Sequence, residues 1–410
     1  MSSPFDIQRI IREQCVRTVF QPLVSARRKA IFAVEALSRG YAPGDGAPIP
    51  PDHLFGAAGD RETLVALDRL CRERAVEAFA PLYRENPGLI LSINISTAVI
   101  HPRTVGSNHL LDLVRRHGVH PNNVIIEVIE SEAGDTACLL EFVRLYKANG
   151  FLIALDDVGA AHSNLDRILM LKPHILKLDR SLVSDIHHQH SKREIVRSLT
   201  RLGHGIGAMV LAEGVECAEE ALCCLERGVE LFQGYHFGRP APPAQALEGL
   251  GDRMDSLAAR FKAHTIAGIS RRKHQSARHR KLTRAITERL SALEPGTFEP
   301  ALTGFLDEAP GLECLYVLDR RGIQITETIC NPHALTGACR LLFEPARPGT
   351  DHSMKNYYLP LRAGLRTFTT EPYISLASGN QCITLSVRFK DCGDRQRILC
   401  VDLAREDAQG

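Results

Sequence analysis

LIALDDVGAAHSN, from Leu152 to Asn164, sets four apolar residues directly against two adjacent aspartates. The apolar half favours burial, whereas neighbouring carboxylates repel one another unless water or a cation compensates them. The stretch therefore reads as a strand whose acids lie at its C-terminal end. Either the pair is solvated there, or a cation sits beside it.

The surrounding sequence repeats this design. From Thr18 to about Pro240, short runs of Val, Ile and Leu alternate with longer stretches of helical period, as in a parallel sheet with crossover helices. The strand candidates are TVFQPL, IFAVEAL, LILSINI, NVIIEVI, FLIALDD, HILKLD, AMVLAEG and LFQGY. Eight of them predict a closed α/β architecture, a TIM-like (β/α)8 barrel. Helix candidates between them include CLLEFVRLYKANG, with Leu139, Leu140, Val143 and Tyr146 on one face and Gly150 as the stop, and SKREIVRSLTRLG before Gly203.

Nearly every strand candidate ends in a polar residue: Glu35, Asn94, Glu127, Asp156 with Asp157, Lys177 with Asp179, Glu213 and Gln233. Each alone fits a satisfied polar group inside a barrel or a solvated strand end. Repeated at seven strand ends, they converge on the single rim where the strands of a parallel barrel finish. Carboxylates gathered there raise one another's pKa unless cations lie among them. Oxygen ligands with one amide suit Mg²⁺ or Mn²⁺ better than zinc. The adjacent aspartates then acquire roles, Asp156 bridging two ions and Asp157 binding the second. Two ions about 3.5 to 4 Å apart suit phosphoester hydrolysis, because they stabilise both the attacking and the leaving oxygen. Lys177 is placed to orient the attacking water.

Taken together and in order, the motifs resemble those of the EAL domain, a bacterial cyclic-di-GMP phosphodiesterase built on a modified TIM barrel. The resemblance covers roughly residues 5 to 245. It rests on EAL at Glu35–Leu37 followed by Arg39, NIS at Asn94, EVIE at Glu127–Glu130, the double aspartate, KLD at Lys177, AEGVE at Glu213–Glu216, and QGYHFGRP from Gln233. It implies that Glu35, Asn94, Glu127 and Asp156 hold one metal, while Asp156, Asp157 and Glu213 serve the other. It implies further that Lys177 positions or helps deprotonate the water, and that Gln21, Leu37, Arg39 and Gln233 contact substrate. Glu130, Asp179 and Glu216 would support the site. The implied activity is hydrolysis of cyclic di-GMP to linear pGpG with two ions, Mg²⁺ or Mn²⁺, in a homodimer.

The opening stretch is also where the chain departs from that family. Where the family commonly reads DDFGTGYSSL, this chain has DDVGAAHSNL, with Val158, Ala160, Ala161, His162 and Asn164 replacing the habitual residues. A glycine at the Ala161 position would serve a positive-φ backbone that alanine adopts only at a cost. A threonine at the Ala160 position would offer Glu130 a hydroxyl. An altered loop lowers or conditions activity, which leaves a second reading: a receptor that binds cyclic di-GMP without cleaving it. His162 is a further metal contact or a solvated loop residue, and HHQH at His187–His190 divides the same way. No cyclase-like GGDEF segment is present.

Bulk properties narrow the field around this site. The 410 residues carry 50 Lys+Arg against 48 Asp+Glu, a net charge of +2, so no global field selects a nucleic-acid polymer or a membrane. The 12 cysteines show no C-x-x-C pair, and no stretch approaches the ~18 consecutive apolar residues of a membrane span. A cytoplasmic protein is expected. Residues 1–250 form the expected barrel domain and 251–294 a basic helical connector, with no acidic residue between Ser256 and Thr287. A nucleic-acid or anionic-lipid patch is the alternative for the connector, but aromatic residues do not interleave beyond Phe261. Leu282, Ile286, Leu290 and Leu293 give it an apolar stripe. Residues 295–410 read as antiparallel β, with CLYVLDRRGIQIT as a hairpin and Ile383, Leu385, Val387 and Phe389 alternating. This part resembles PAS-like or Cache-like sensor domains and predicts an α+β module for an unknown small ligand, with Tyr357, Tyr358, Arg366 and Tyr373 as candidate lining.

Overall fold

The computed structural model describes residues 5–44, 46–129, 135–160, 165–306, 311–333 and 343–404. It divides into two compact units, Met1–Ile266 and Ala267–Gly410. Among the described residues, no helix is long and apolar enough to cross a membrane.

All eight strand candidates of the first unit form. They are β1 (Val16–Ser25), β2 (Ala30–Tyr41), β3 (Ile90–Ser96), β4 (Val124–Ile129), β5 (Leu152–Val158), β6 (Ile175–Leu178), β7 (Met209–Ala212) and β8 (Leu231–Phe232). They pair around a closed barrel in the order 1-8-7-6-5-4-3-2, with β1 returning to β2. The expectation of a wholly parallel sheet is corrected at the first strand, since β1 lies antiparallel to both β2 and β8. Only Ala26–Lys29 separate β1 from β2. Four residues make a hairpin, whereas a parallel crossover needs a dozen or more.

The barrel interior explains the polar rim. Leu23, Ala33, Ile125, Ala154, Ile175, Leu211 and Leu231 pack together as an apolar layer. Side chains two apart share a face of a strand, so the next inward residues are Glu35, Glu127, Asp156, Lys177, Glu213 and Gln233. On the reversed β1 the counterpart precedes its layer residue and is Gln21. Outward-facing residues of the same strands bury against α1 (Arg61–Glu85), α2 (Thr136–Ala148), α3 (His190–Gly205) and α4 (Ala218–Glu226) in one large cluster that includes Phe79, Phe142, Val196 and Leu225.

A 42-residue helix, α5 (Leu250–Ser291), follows. Leu250, Met254 and Leu257 join the core of the first unit, and Ile286 and Leu290 join that of the second. The basic residues between them are mostly exposed, as a solvated helix face requires.

The second unit is an antiparallel sheet of β9 (Leu312–Asp319), β10 (Ile329–Cys330), β11 (Thr367–Thr369), β12 (Tyr373–Ile374), β13 (Gln381–Lys390) and β14 (Gln396–Ala404). Its order is 10-9-14-13-11, with β12 also on β13. On one face Leu315, Val317, Leu385, Leu399 and Val401 pack with Ile286, Leu290 and Phe298. The opposite face carries Tyr316, Leu318, Ile398 and Cys400, covered by Tyr357, Tyr358 and Leu361. The hairpin expected in CLYVLDRRGIQIT is only partial: its return arm pairs through the single bridge Leu318–Gln324.

Candidate active site

Strand register brings the polar residues together. Gln21 stands opposite Glu35 across β1 and β2, and Asn94 stands beside Glu127 across β3 and β4. Glu35 Oε1 accepts from Asn94 Nδ2 at 2.6 Å, and its other oxygen accepts from Gln233 Nε2. Gln233 also donates to Gln21 Oε1 at 3.1 Å, and Gln21 donates to the Gly238 carbonyl at 3.0 Å. Three amides thus fix the orientation of one buried carboxylate.

Lys177 is the centre of the second cluster. Its Nζ lies 2.5 Å from Glu127, 2.5 Å from Glu213 and 3.2 Å from Asp156. Glu127 is fully buried and also accepts from Ser92 Oγ at 2.5 Å. Burial pushes the Glu127 carboxyl well above its ordinary value and Glu35 adds to this, while Lys177 opposes it. Burial likewise raises Glu213, to about 8, against the pull of Lys177. For Lys177 itself burial favours the neutral amine, but Glu127, Glu213, Glu35 and Asp156 more than reverse that and hold its pKa well above the usual range. Lys177 is therefore an ammonium at neutral pH.

A strand alternates its side chains, so adjacent Asp156 and Asp157 would ordinarily face opposite ways. The chain avoids this with an irregularity. The β5–β6 register shifts between Leu155 and Val158, and Asp157 takes φ +53° in the left-handed region, which aspartate tolerates better than most residues. Carboxylate oxygens of Asp156, Asp157 and Glu213 consequently lie within 4.8 Å of one another, a separation one cation can span. Gly159 follows at φ +97°, and a Cβ there would lie 2.2 Å from Leu182. The glycine of the DDVG stretch is thus required by both backbone and packing.

The remaining expectations divide. Asp179 caps the short helix Arg180–Val183, accepting from Ser181 N at 2.9 Å. Glu216 pairs with Arg180 at 2.7 Å on the exposed edge of the site. Leu37 and Arg39 are half-buried farther along β2, where Arg39 donates to the Ser38 carbonyl; neither lines the cleft described below. Glu130, His162 and the rest of 161–164 lie outside the described residues, whereas Ala160 N donates to the Asp157 carbonyl at 3.2 Å. In the HHQH run, His187 gathers with Cys217 and Glu220, while His188 and His190 are exposed. Glu220 is already engaged there, accepting backbone N–H groups of Asp185, Glu216 and Cys217.

These groups open into a cleft of about 270 Å3 lined by Gln21, Glu35, Asp156, Lys177, Glu213 and Gln233, together with Arg180 and Tyr235. Sequence reasoning passed over the last two. Each immediately follows a recognised motif residue by one or two positions, and that adjacency was the available signal. Tyr235 is 49% exposed, with the Arg239 guanidinium 4.2 Å over its ring. Five carboxylates around one ammonium leave a site that fits divalent cations: the donor set is hard oxygen, and the excess charge is negative.

The family model for the EAL domain matches residues 6–240. The signaling protein YkoW of Bacillus subtilis is 28% identical over 235 residues, which cover 55% of this chain and 28% of YkoW. The cyclic di-GMP phosphodiesterase RocR of Pseudomonas aeruginosa is 29% identical over 235 residues, 56% of this chain and 58% of RocR. The chain thus spans well under two thirds of these relatives. YkuI of Bacillus subtilis, an EAL-domain-containing protein, is 23% identical over 410 residues, covering 98% of this chain and 97% of YkuI. The crystal structure of YkuI in complex with cyclic di-GMP and calcium shares the fold with a TM-score of 0.82 at 22% identity, covering 98% of this chain and all of that one.

Proposed function

The chain belongs to the EAL domain family, and from that premise we propose that it hydrolyses one phosphodiester of cyclic di-GMP to linear pGpG, using two divalent ions and answering to its second unit. The observation that carries this reading is the gathering of acids around Lys177: fully ionised, Glu35, Glu127, Asp156, Asp157 and Glu213 would exceed the one ammonium by four formal charges, which two divalent ions would neutralise, and burial raises Glu127 and Glu213 where no ion does so.

Glu35, Asn94, Glu127 and Asp156 would hold one Mg²⁺ or Mn²⁺, and Asp156, Asp157 and Glu213 the other. Bound there, the ions would supply Lewis-acid activation of the phosphodiester and of the attacking water. Asn94 donates to Glu35 through Nδ2, which leaves Oδ1 as its ligand atom. Lys177, beside Glu127, Asp156 and Glu213, would orient the attacking water and balance developing negative charge, or help deprotonate that water once metal ions neutralise the carboxylates around it. Gln21 and Gln233 hold Glu35 in place. Arg180 offers a guanidinium to a phosphate, and Tyr235 a ring face to a base. The cleft is smaller than the ~300–1000 Å3 that encloses a drug-sized ligand, so the substrate would lie across it with its reacting phosphodiester inside.

The deciding experiment incubates the purified chain with cyclic di-GMP and Mn²⁺, Mg²⁺ or EDTA and identifies the product chromatographically. Metal-dependent pGpG is expected. The second reading, a receptor that binds without turnover, draws on Ala160, which lacks a hydroxyl in the loop beside Asp157. Tight nucleotide binding with no product under either metal would select it. The homodimer implied by the resemblance is tested on the same sample by sedimentation.

A further inference from the structure

The second unit holds a cavity of about 1100 Å3, lined by residues of the sheet face opposite its α5-covered core. Among the expected lining residues, Tyr357 and Tyr373 reach it, whereas Tyr358 is buried beside it and Arg366 is exposed elsewhere. At the rim, Glu344 and Glu371 offset Arg347 and Lys355, so the entrance favours neither sign. The interior does. Asp402 on β14 is 3% exposed and lines the cavity. Its Oδ1 accepts from Thr384 Oγ1 at 2.7 Å across the strand pair, but among the described residues no lysine or arginine forms an ion pair with it.

The groups around Asp402 share its character. Tyr316 and Tyr357 pack edge to face with ring centroids 6.2 Å apart, and the Tyr373 hydroxyl lies 2.6 Å from Thr384 Oγ1. Gln324 Nε2 donates to the Thr326 and Ala346 carbonyls, which fixes the amide and leaves its buried Oε1 without a partner. His352 Nε2 is buried and unpaired as well, its Nδ1 being 2.6 Å from the Tyr357 hydroxyl. A buried carboxylate without a counter-charge and polar atoms without a partner are costly unless a ligand completes them.

We propose that this cavity binds an amine-bearing small molecule, its ammonium group seated against the Asp402 carboxylate with the rings of Tyr316, Tyr357 and Tyr373 around it. An ammonium supplies a counter-charge for Asp402, N–H donors for its carboxylate and for the unpaired Gln324 Oε1, and a cation for the aromatic faces. An anionic ligand would meet Asp402 unfavourably. A metal ion would find one carboxylate among amides and phenols, too few hard oxygens for Ca²⁺ or Mg²⁺. Burial raises the Asp402 carboxyl to about 7 against the Thr384 hydrogen bond, with Glu313 adding to the rise, so the group is only partly ionised at neutral pH and a bound ammonium would draw it to the charged form.

The inference deepens the reading of the second unit as ligand-responsive, and direct binding tests it apart from hydrolysis. A chain that binds an amine yet makes no pGpG keeps it. The full chain is titrated calorimetrically with putrescine, spermidine, tyramine and the standard amino acids, with 1,4-butanediol and succinate as partners lacking the ammonium. Binding of at least one amine and of neither control is expected. Asp402→Asn, checked for folding by circular dichroism, should weaken that amine by roughly thirtyfold or more. Ala377→Trp, which adds an indole at the half-buried cavity lining, should weaken binding independently of the carboxylate. Failure of every amine to bind, equal binding of the controls, or an affinity that either folded variant leaves within twofold would overturn the proposal.

Discussion

Lys177 Nζ and Glu127 Oε2 lie 2.5 Å apart, fifty residues distant in the chain and both buried. Neighbouring strands do not carry them. Glu127 is on β4 and Lys177 on β6, with β5 between. The ion pair therefore spans the barrel interior above its apolar layer, and the reactivity proposed for the site depends on that closure.

Replacing Lys177 with alanine should lower kcat for cyclic di-GMP by roughly a hundredfold or more while KM stays within a few-fold, as for loss of a group that acts on the transition state. Initial rates of pGpG formation with saturating Mn²⁺ test this. A loss below tenfold would remove Lys177 from the reaction.

Glu213 makes metal-free stability pH-dependent. The folded protein holds its carboxyl proton up to about 8, against 4.5 for an ordinary glutamate, so the folded state binds the proton more tightly than the unfolded chain. The stabilisation is complete below about 4.5 and disappears as pH rises through about 8. With EDTA, Tm should fall across that window, Glu213→Gln should lessen the fall and leave the part due to Glu127, whose carboxyl burial also raises, and Mn²⁺ should offset it by binding the folded state alone. A metal-free Tm that climbs from pH 5 to 8 would contradict this assignment.

Gly234 joins Gln233 to the segment after β8 where the backbone meets Val215. A Cβ at this position would lie 2.1 Å from the Val215 carbonyl oxygen. Gly234→Ala must push these two segments apart and should cost roughly 1 to 3 kcal/mol, as overpacking commonly does, while displacing Gln233 from Glu35. Denaturant melts and pGpG assays should both report the loss.

Ile286, on α5, is fully buried among Leu290, Phe298 and Leu315 of the second unit. Ile286→Ala should destabilise that unit by about 2 to 5 kcal/mol. Hydrogen exchange should show faster exchange in β9, β13 and β14, with the protection of β4 and β6 unchanged. Equal loosening of both units would mean that the stripe also supports the barrel.

Much of the site was legible because a strand's alternation is local. Glu35, Glu127, Asp156, Lys177 and Glu213 each sit two residues beyond an apolar inward residue, a relation visible in the sequence. The reversal of β1 was missed, although the short gap between TVFQPL and IFAVEAL leaves no room for a crossover helix. Sequence reading left out Arg180 and Tyr235, whose roles depend on where loops close over the rim. In the second unit, Ile383, Leu385 and Phe389 of the expected alternation pack in the core with Ile286 and Leu290, while Thr384 and Ser386 between them are buried as well, which only the cover on the other face of the sheet decides.

By itself the sequence determined which residues end each strand, which side of the strand they share, and that their charges would not balance. Those properties follow from residue type and a two-residue period, and no distant contact can alter them. The tertiary structure alone decided that Lys177 meets Glu127, Asp156 and Glu213, that a slipped register turns Asp157 toward Asp156, and that Asp402 is buried against Thr384. Such relations arise only when strands far apart in the chain close on one another, because distance in space is set by pairing and packing and not by position along the chain.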